Sequence, residues 1–131
     1  MQALDTNILL RFLLRDDVAQ CAKVTGLFNA AATRGRVYVI NSLVLLELVW
    51  VLENVYTYPR AEILGALEAL DSLPSVEFAD GDRVYRFLHL ARTTPLGLED
   101  LLIGLESERI DAAPTITFDR AAAKSPLFAK P

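Results

Sequence analysis

Four carboxylates, Asp5, Glu47, Asp100 and Asp119, stand among apolar residues, and acids placed that way point to metal chemistry. Glu47 is the only polar residue in the run Leu43–Leu52, which reads LVLLELVWVL. The other three border shorter apolar segments: Ala3-Leu4 before Asp5, Leu101-Leu102 after Asp100, and Ile116-Thr117-Phe118 before Asp119. These neighbours predict that all four are buried. A lone carboxylate taken out of water is costly, so it is neutralised, paired or bound to a cation. If the fold brings four such acids together, their mutual repulsion requires a cation among them. That pattern describes a metal site built from oxygen ligands.

The elements that must position the acids follow from periodicity and from turn residues. Gln2–Leu4 reads as the start of a short strand, with a helical stretch at Ile8–Leu14. Asp16-Asp17 opens a second helix to about Thr33, with Cys21, Val24, Leu27 and Phe28 on one face. Val37–Ile40 is β-branched and aromatic and reads as a strand. Ser42 is then expected to cap a helix running to about Val55. Arg60–Leu70 places Ile63, Leu64, Leu67 and Leu70 inward. Val76–Phe78 reads as a small strand, and Asp82–Arg92 as an amphipathic helix with Val84, Phe87, Leu88 and Ala91 as its stripe. Leu98–Arg109 is a further helix, and Thr115–Thr117 a last strand that ends near Asp119. On the Leu98–Arg109 helix, Asp100, Gly104 and Ser107 share a face, which favours Asp100 as the inward acid and leaves Glu99 solvated or in a supporting role.

Strands separated by helices predict a parallel sheet flanked by helices. Ligands of such sheets bind at the carboxyl ends of the strands. Asp5 and Asp119 fall just past strand ends, Glu47 little more than a turn into the helix after the second strand, and Asp100 in the first turn of its helix. The periodicities therefore predict all four at one edge of one sheet.

Composition bounds the rest. A chain of 131 residues with 53% hydrophobic residues suffices for one globular domain spanning 1–131. No apolar stretch reaches the ~18 residues of a spanning helix, and no export signal is seen, so a cytoplasmic location and no membrane partner are expected. Cys21 is the single cysteine, which excludes an internal disulfide and reads as a small buried apolar residue. The net charge of −4 argues at first against nucleic acid. Setting the four acids aside from the 17 Asp and Glu leaves 13 against 13 Lys and Arg, so net charge does not decide the partner.

Each residue also has a plainer reading. Asp5 could cap a helix, Glu47 could pair with Arg11 or Arg15, Asp100 could answer a helix dipole, and Asp119 could be a turn residue. His89 reads as a core or surface histidine, and Arg11, Arg15, Arg34 and Arg36 as solvated unless they contact phosphates.

The order of these motifs resembles the PIN-domain ribonucleases. The residues that carry the resemblance are Asp5-Thr6-Asn7 after a first strand, Ser42 with Glu47 in an apolar helix, Glu99-Asp100-Leu101-Leu102-Ile103 opening a late helix, and Thr117-Phe118-Asp119 after a strand. The stretch Asp5–Asp17, DTNILLRFLLRDD, is similar to the VapC-like toxins of toxin–antitoxin modules. The resemblance implies a three-layer α/β/α sandwich around a central, mostly parallel sheet of four to five strands. It implies a Mg2+- or Mn2+-dependent endoribonuclease with Asp5, Glu47, Asp100 and Asp119 as metal ligands. In that reading Thr6 and Thr117 orient a carboxylate or a water, and Asn7 caps the following helix or supports Asp5. An RNA substrate, a cognate antitoxin protein and a homodimer are implied as partners. The chain departs from the family pattern in carrying Glu99 where a small residue often precedes the third acid.

Three alternatives compete. A haloacid-dehalogenase-type phosphatase needs a second aspartate where this chain has Asn7, and a receiver domain needs a mid-chain phosphoacceptor and a late lysine that are not found. The alternative of another class is a catalytically silent PIN-like module that binds protein or RNA; the complete quartet of acids argues against it.

Overall fold

Helices with a single apolar stripe form where the spacing predicts them. The computed structural model describes residues 1–131. In chain order its elements begin with β1 (Gln2–Ala3), α1 (Thr6–Leu14), α2 (Val18–Thr33), β2 (Tyr38–Ile40), α3 (Ser42–Asn54), α4 (Arg60–Asp71) and β3 (Val76–Phe78). They continue with α5 (Gly81–Thr93), α6 (Leu98–Arg109), β4 (Thr115–Ile116), a 3-10 turn at Ala122–Lys124 and β5 (Phe128–Ala129). Ile63, Leu64, Leu67 and Leu70 of α4 are buried, as are Val84, Phe87, Leu88 and Ala91 of α5. Each full burial of such a side chain stabilises by roughly 1.5–3 kcal/mol.

The chain divides into two compact units, Met1–Gly81 and Asp82–Pro131. In the first, β1, β2 and β3 form a three-stranded parallel sheet with β2 at its centre. The pairing of β1 with β2 runs on past β1 through the Leu4 N–H, which donates to the Val39 carbonyl at 2.9 Å. Helix α1 packs on α2 and α3, and α4 packs on α3 and β3. Leu9, Leu48, Val49, Leu52, Ile63, Leu67 and Leu70 are fully buried. In the second unit, β4 and β5 form a separate two-stranded parallel pair, and α6 packs on β4. The architecture is α/β with every strand pairing parallel, as predicted. The five strands are split three and two, where one central sheet of four to five was implied.

The remaining differences have local causes. Helix α1 starts at Thr6, two residues early, because Thr6 and Asn7 occupy its first turn without contributing to an apolar period. Asn41, not Ser42, caps α3: its Oδ1 accepts from the Val44 N–H at 2.9 Å. Asn7 is the second residue of α1 and does not cap it. On α2 the inward residues are Val24, Phe28 and Ala31, while Leu27 is 39% exposed and Cys21 half-buried. The inward line follows steps of four and three from Val24, and this rotates Leu27 outward. Asp17 caps α2 by accepting from the Gln20 N–H, and Gly35, at φ 64°, ends that helix in the left-handed region. The strand β5 was not foreseen; it is two residues long and carries no alternation.

Candidate active site

Asp5 leaves β1 with extended backbone, φ −82° and ψ 157°, at the N-cap position of α1. Its side chain makes no capping hydrogen bond, so the plain capping reading fails and the carboxylate stays available. Glu47 lies in the second turn of α3, the helix that leaves the adjacent strand β2. Because β1 and β2 are parallel and α1 packs on α3, both acids belong to the carboxyl end of the first sheet.

The predicted burial of these acids is overturned. Asp5, Glu47 and Asp119 are exposed and Asp100 is half-buried. Leu48 and Val49 are fully buried while Glu47 faces water, since successive helical residues diverge by about 100°. The plainer alternative for Glu47, pairing with Arg11, is not seen: Arg11 Nη1 donates to Asp16 Oδ1 at 2.8 Å.

Thr6, which follows Asp5, is 4% exposed, and its Oγ1 has no hydrogen-bond partner. Buried hydroxyls are nearly always bonded, so an orphan beside an available carboxylate marks a place for a water or a ligand.

The second unit holds Asp100 and Asp119 differently. Asp100 is the third residue of α6, whose N-cap, Gly97, has no side chain. A Cβ placed on Gly97 would lie 3.3 Å from Asp100 Oδ2, so the carboxylate folds back over the helix start. Burial, and then the like charge of Asp119, push the Asp100 carboxyl above the ordinary carboxylate range. A helix N-terminus would favour the ionised form, so the dipole is not the dominant influence on this acid.

Asp119 is held from both sides. Its N–H donates to Thr117 Oγ1 at 3.0 Å, and its Oδ1 accepts from the N–H groups of Ala121 at 2.8 Å and Ala122 at 3.0 Å. The turn reading therefore accounts for one oxygen, and Thr117 for the entry of the turn. On the same side of α6 as Asp100, Ser107 Oγ lies 2.7 Å from Thr115 Oγ1. Gly104 accepts the tail there: a Cβ on it would lie 3.0 Å from both Leu127 Cβ and Phe128 Cε2.

A model of the PIN domain matches residues 3–125. The chain belongs to the PIN-domain family. PIN domains are generally metal-dependent nucleases, and the parallel α/β architecture fits theirs. No curated protein matches the chain closely enough to count as a relative.

Two features of this PIN domain fit a hard cation. The donors are all oxygens, and Asp100 and Asp119 repel each other as two anions awaiting a positive charge would. Within either unit, no three acidic, histidine or cysteine side chains gather at metal-binding distance.

The sequence reading missed two residues of this PIN domain. Glu99, expected either in solvent or in a supporting role, is half-buried, and its Oε1 is both buried and without a hydrogen bond. The face that Asp100 shares with Gly104 and Ser107 favoured Asp100, but both acids flank the stripe of Leu98, Leu101 and Leu105. Gly97 was also missed; a glycine at the N-cap three residues before an acid was the available signal.

Proposed function

We propose that this PIN domain is a divalent-metal-dependent endoribonuclease that acts as the toxin of a toxin–antitoxin pair. The observation that carries the proposal is the Asp100–Asp119 pair, two carboxylates close enough for one to raise the other's pKa. Asp5, Glu47, Asp100 and Asp119 are the residues that would hold Mg2+ or Mn2+. Bound there, the ion would supply charge neutralisation at the scissile phosphate and water activation at neutral pH.

The chain's own residues do the positioning. Asp5 presents a carboxylate that capping leaves unused, and the Thr6 hydroxyl is a buried donor beside it. Thr117 fixes the backbone of Asp119, and the two amide N–H groups on Oδ1 anchor that carboxylate at the turn. Hydrolysis adds the water oxygen to phosphorus and breaks the bond to the 3′-oxygen, leaving a 3′-hydroxyl and a 5′-phosphate.

Cations lining a cleft in the first unit support an RNA substrate. A cleft of about 570 Å³ between α1 and α2 starts at Asn7 and is lined by Arg11 and Lys23 among others. Exposed apolar residues support protein partners: Leu43 (77%) and Trp50 (51%) flank Glu47 on the outer face of α3. We assign that face to a second copy of the chain and to an antitoxin protein. No helix is long and apolar enough to cross a membrane, and a cytoplasmic site of action follows from an RNA target.

The test compares wild type with Asp5→Asn on a mixed RNA pool, with Mg2+ or Mn2+ and with a chelator. Wild type is expected to cleave only with metal, and the variant to lose about a hundredfold or more. Equal activity in both preparations removes the catalytic reading and leaves the silent binding module.

A further inference from the structure

Phe118 is 90% exposed although the backbone on both sides of it is pinned. Before it, the Thr117 N–H donates to the Ala129 carbonyl at 2.9 Å, extending the β4–β5 pairing. After it, Asp119 donates to Thr117 Oγ1 and accepts from Ala121 and Ala122, and the Ala123 N–H closes on the Asp119 carbonyl at 3.0 Å. The exposed ring is therefore carried on an ordered turn, not on a loose loop.

Strand alternation sharpens the point. Thr115 and Thr117 are half-buried and engaged in hydrogen bonds, while Ile116 (62%) and Phe118 stand out toward water. A large aromatic held in water by a rigid backbone contributes nothing to the core. Its position suggests an occupant, because the next residue is Asp119 and two exposed cations follow at Arg120 and Lys124. An aromatic face beside positive charge is the chemistry that binds single-stranded nucleic acid: bases stack on the ring and phosphates meet the cations.

We propose that Phe118 is a base-stacking platform, holding an unpaired nucleotide of the RNA next to Asp119 while Arg120 meets the adjoining phosphate. The proposal rests on the ribonuclease reading and adds the side chain on which an unpaired base is held. Consecutive Cα atoms lie about 3.8 Å apart, so a base on the Phe118 ring would lie within a few nucleotides of Asp119. Phe118 thus positions the strand and takes no part in bond breaking.

Because the ring is exposed, Phe118→Ala is expected to fold normally, and the test reads binding directly. Single-stranded RNA carrying one 2-aminopurine is titrated into the uncleaving Asp5→Asn protein, with Phe118, Ala or Trp at position 118. Quenching is expected with Phe and Trp and lost with Ala. In otherwise wild-type protein, Phe118→Ala should raise KM about tenfold or more with kcat changed less than about twofold, and Phe118→Trp should restore KM. Unchanged quenching and KM in the alanine variant overturn the proposal. So does a variant that weakens only the association of a protein partner. If wild type cleaves no RNA, the ribonuclease reading falls, and the fluorescence arm still decides: quenching that depends on Phe118 upholds the stacking, and its absence overturns it.

Discussion

The two units of the chain each present a pair of acids, and they hold them by opposite means. In the first, Asp5 and Glu47 are placed by topology alone. Parallel strands end side by side, the following helices pack together, and the carboxylates stand in water, Asp5 without a capping bond and Glu47 without an Arg11 pairing. In the second, Asp100 and Asp119 are fixed by short-range detail: a glycine N-cap, a threonine hydroxyl, two amide donors and a tail packed on Gly104. The first pair should tolerate changes around it, and the second should not.

The largest effect is expected at Gly104. Gly104→Val pushes a branched side chain into Leu127 and Phe128, already 3.0 Å from a bare Cβ. Overpacking of this kind costs about 1–3 kcal/mol, and each kcal/mol lowers the melting temperature of a chain this size by roughly 3–5 °C. Calorimetry should show that loss, together with weaker metal binding. A melting curve matching wild type would mean that the second unit is no more rigid than the first.

A change of opposite sign is expected in the first unit. Thr6→Val replaces an unbonded buried hydroxyl by a methyl group of nearly the same shape. No hydrogen bond is lost and a desolvation cost disappears, so stability should rise by about 1 kcal/mol while cleavage falls. Denaturant melts and turnover on one preparation test this. A loss of stability would show that the hydroxyl has a structural partner after all.

The smallest effect separates the pairs electrostatically. The raised pKa of Asp100 means that the folded state binds this proton more tightly than the unfolded state does. The resulting stability is fully present below the unfolded pKa and is lost as pH rises through the folded one. Once pH is above both values the acid is ionised in both states and the repulsion is fully expressed. Asp100→Asn should therefore be slightly more stable than wild type at neutral pH, with the gap closing at low pH. Thermal melts across pH without divalent metal would show it, and a gap independent of pH would remove the electrostatic cause.

What could be read from the sequence depended on whether a residue's surroundings are local. The stripes of α4 and α5 were legible because one face of each helix is apolar and the other polar. The positions of the acids after β1, on α3, on α6 and after β4 were legible for the same reason, since turns and periods bound those elements. Their burial was not. Helix α3 carries a second apolar face, with Leu43 and Trp50 in water, so Glu47 looked enclosed in sequence while lying on the open side. The division of strands between two sheets was hidden because β5 is only Phe128–Ala129 and pairs by backbone alone. The distinction between Glu99 and Asp100 depends on which side chain turns back over Gly97, a contact that no periodicity encodes.

The docking of Leu127 and Phe128 on Gly104, and the pairing of Phe128 and Ala129 with β4, have a consequence for synthesis. The turn that carries Asp119 is closed by residues that leave the ribosome up to ten positions later. A nascent chain can fold its first sheet early, yet Asp119 gains its final setting only when Ala129 is free to pair. The order of translation therefore delays the second pair until about ten residues beyond Asp119 have emerged.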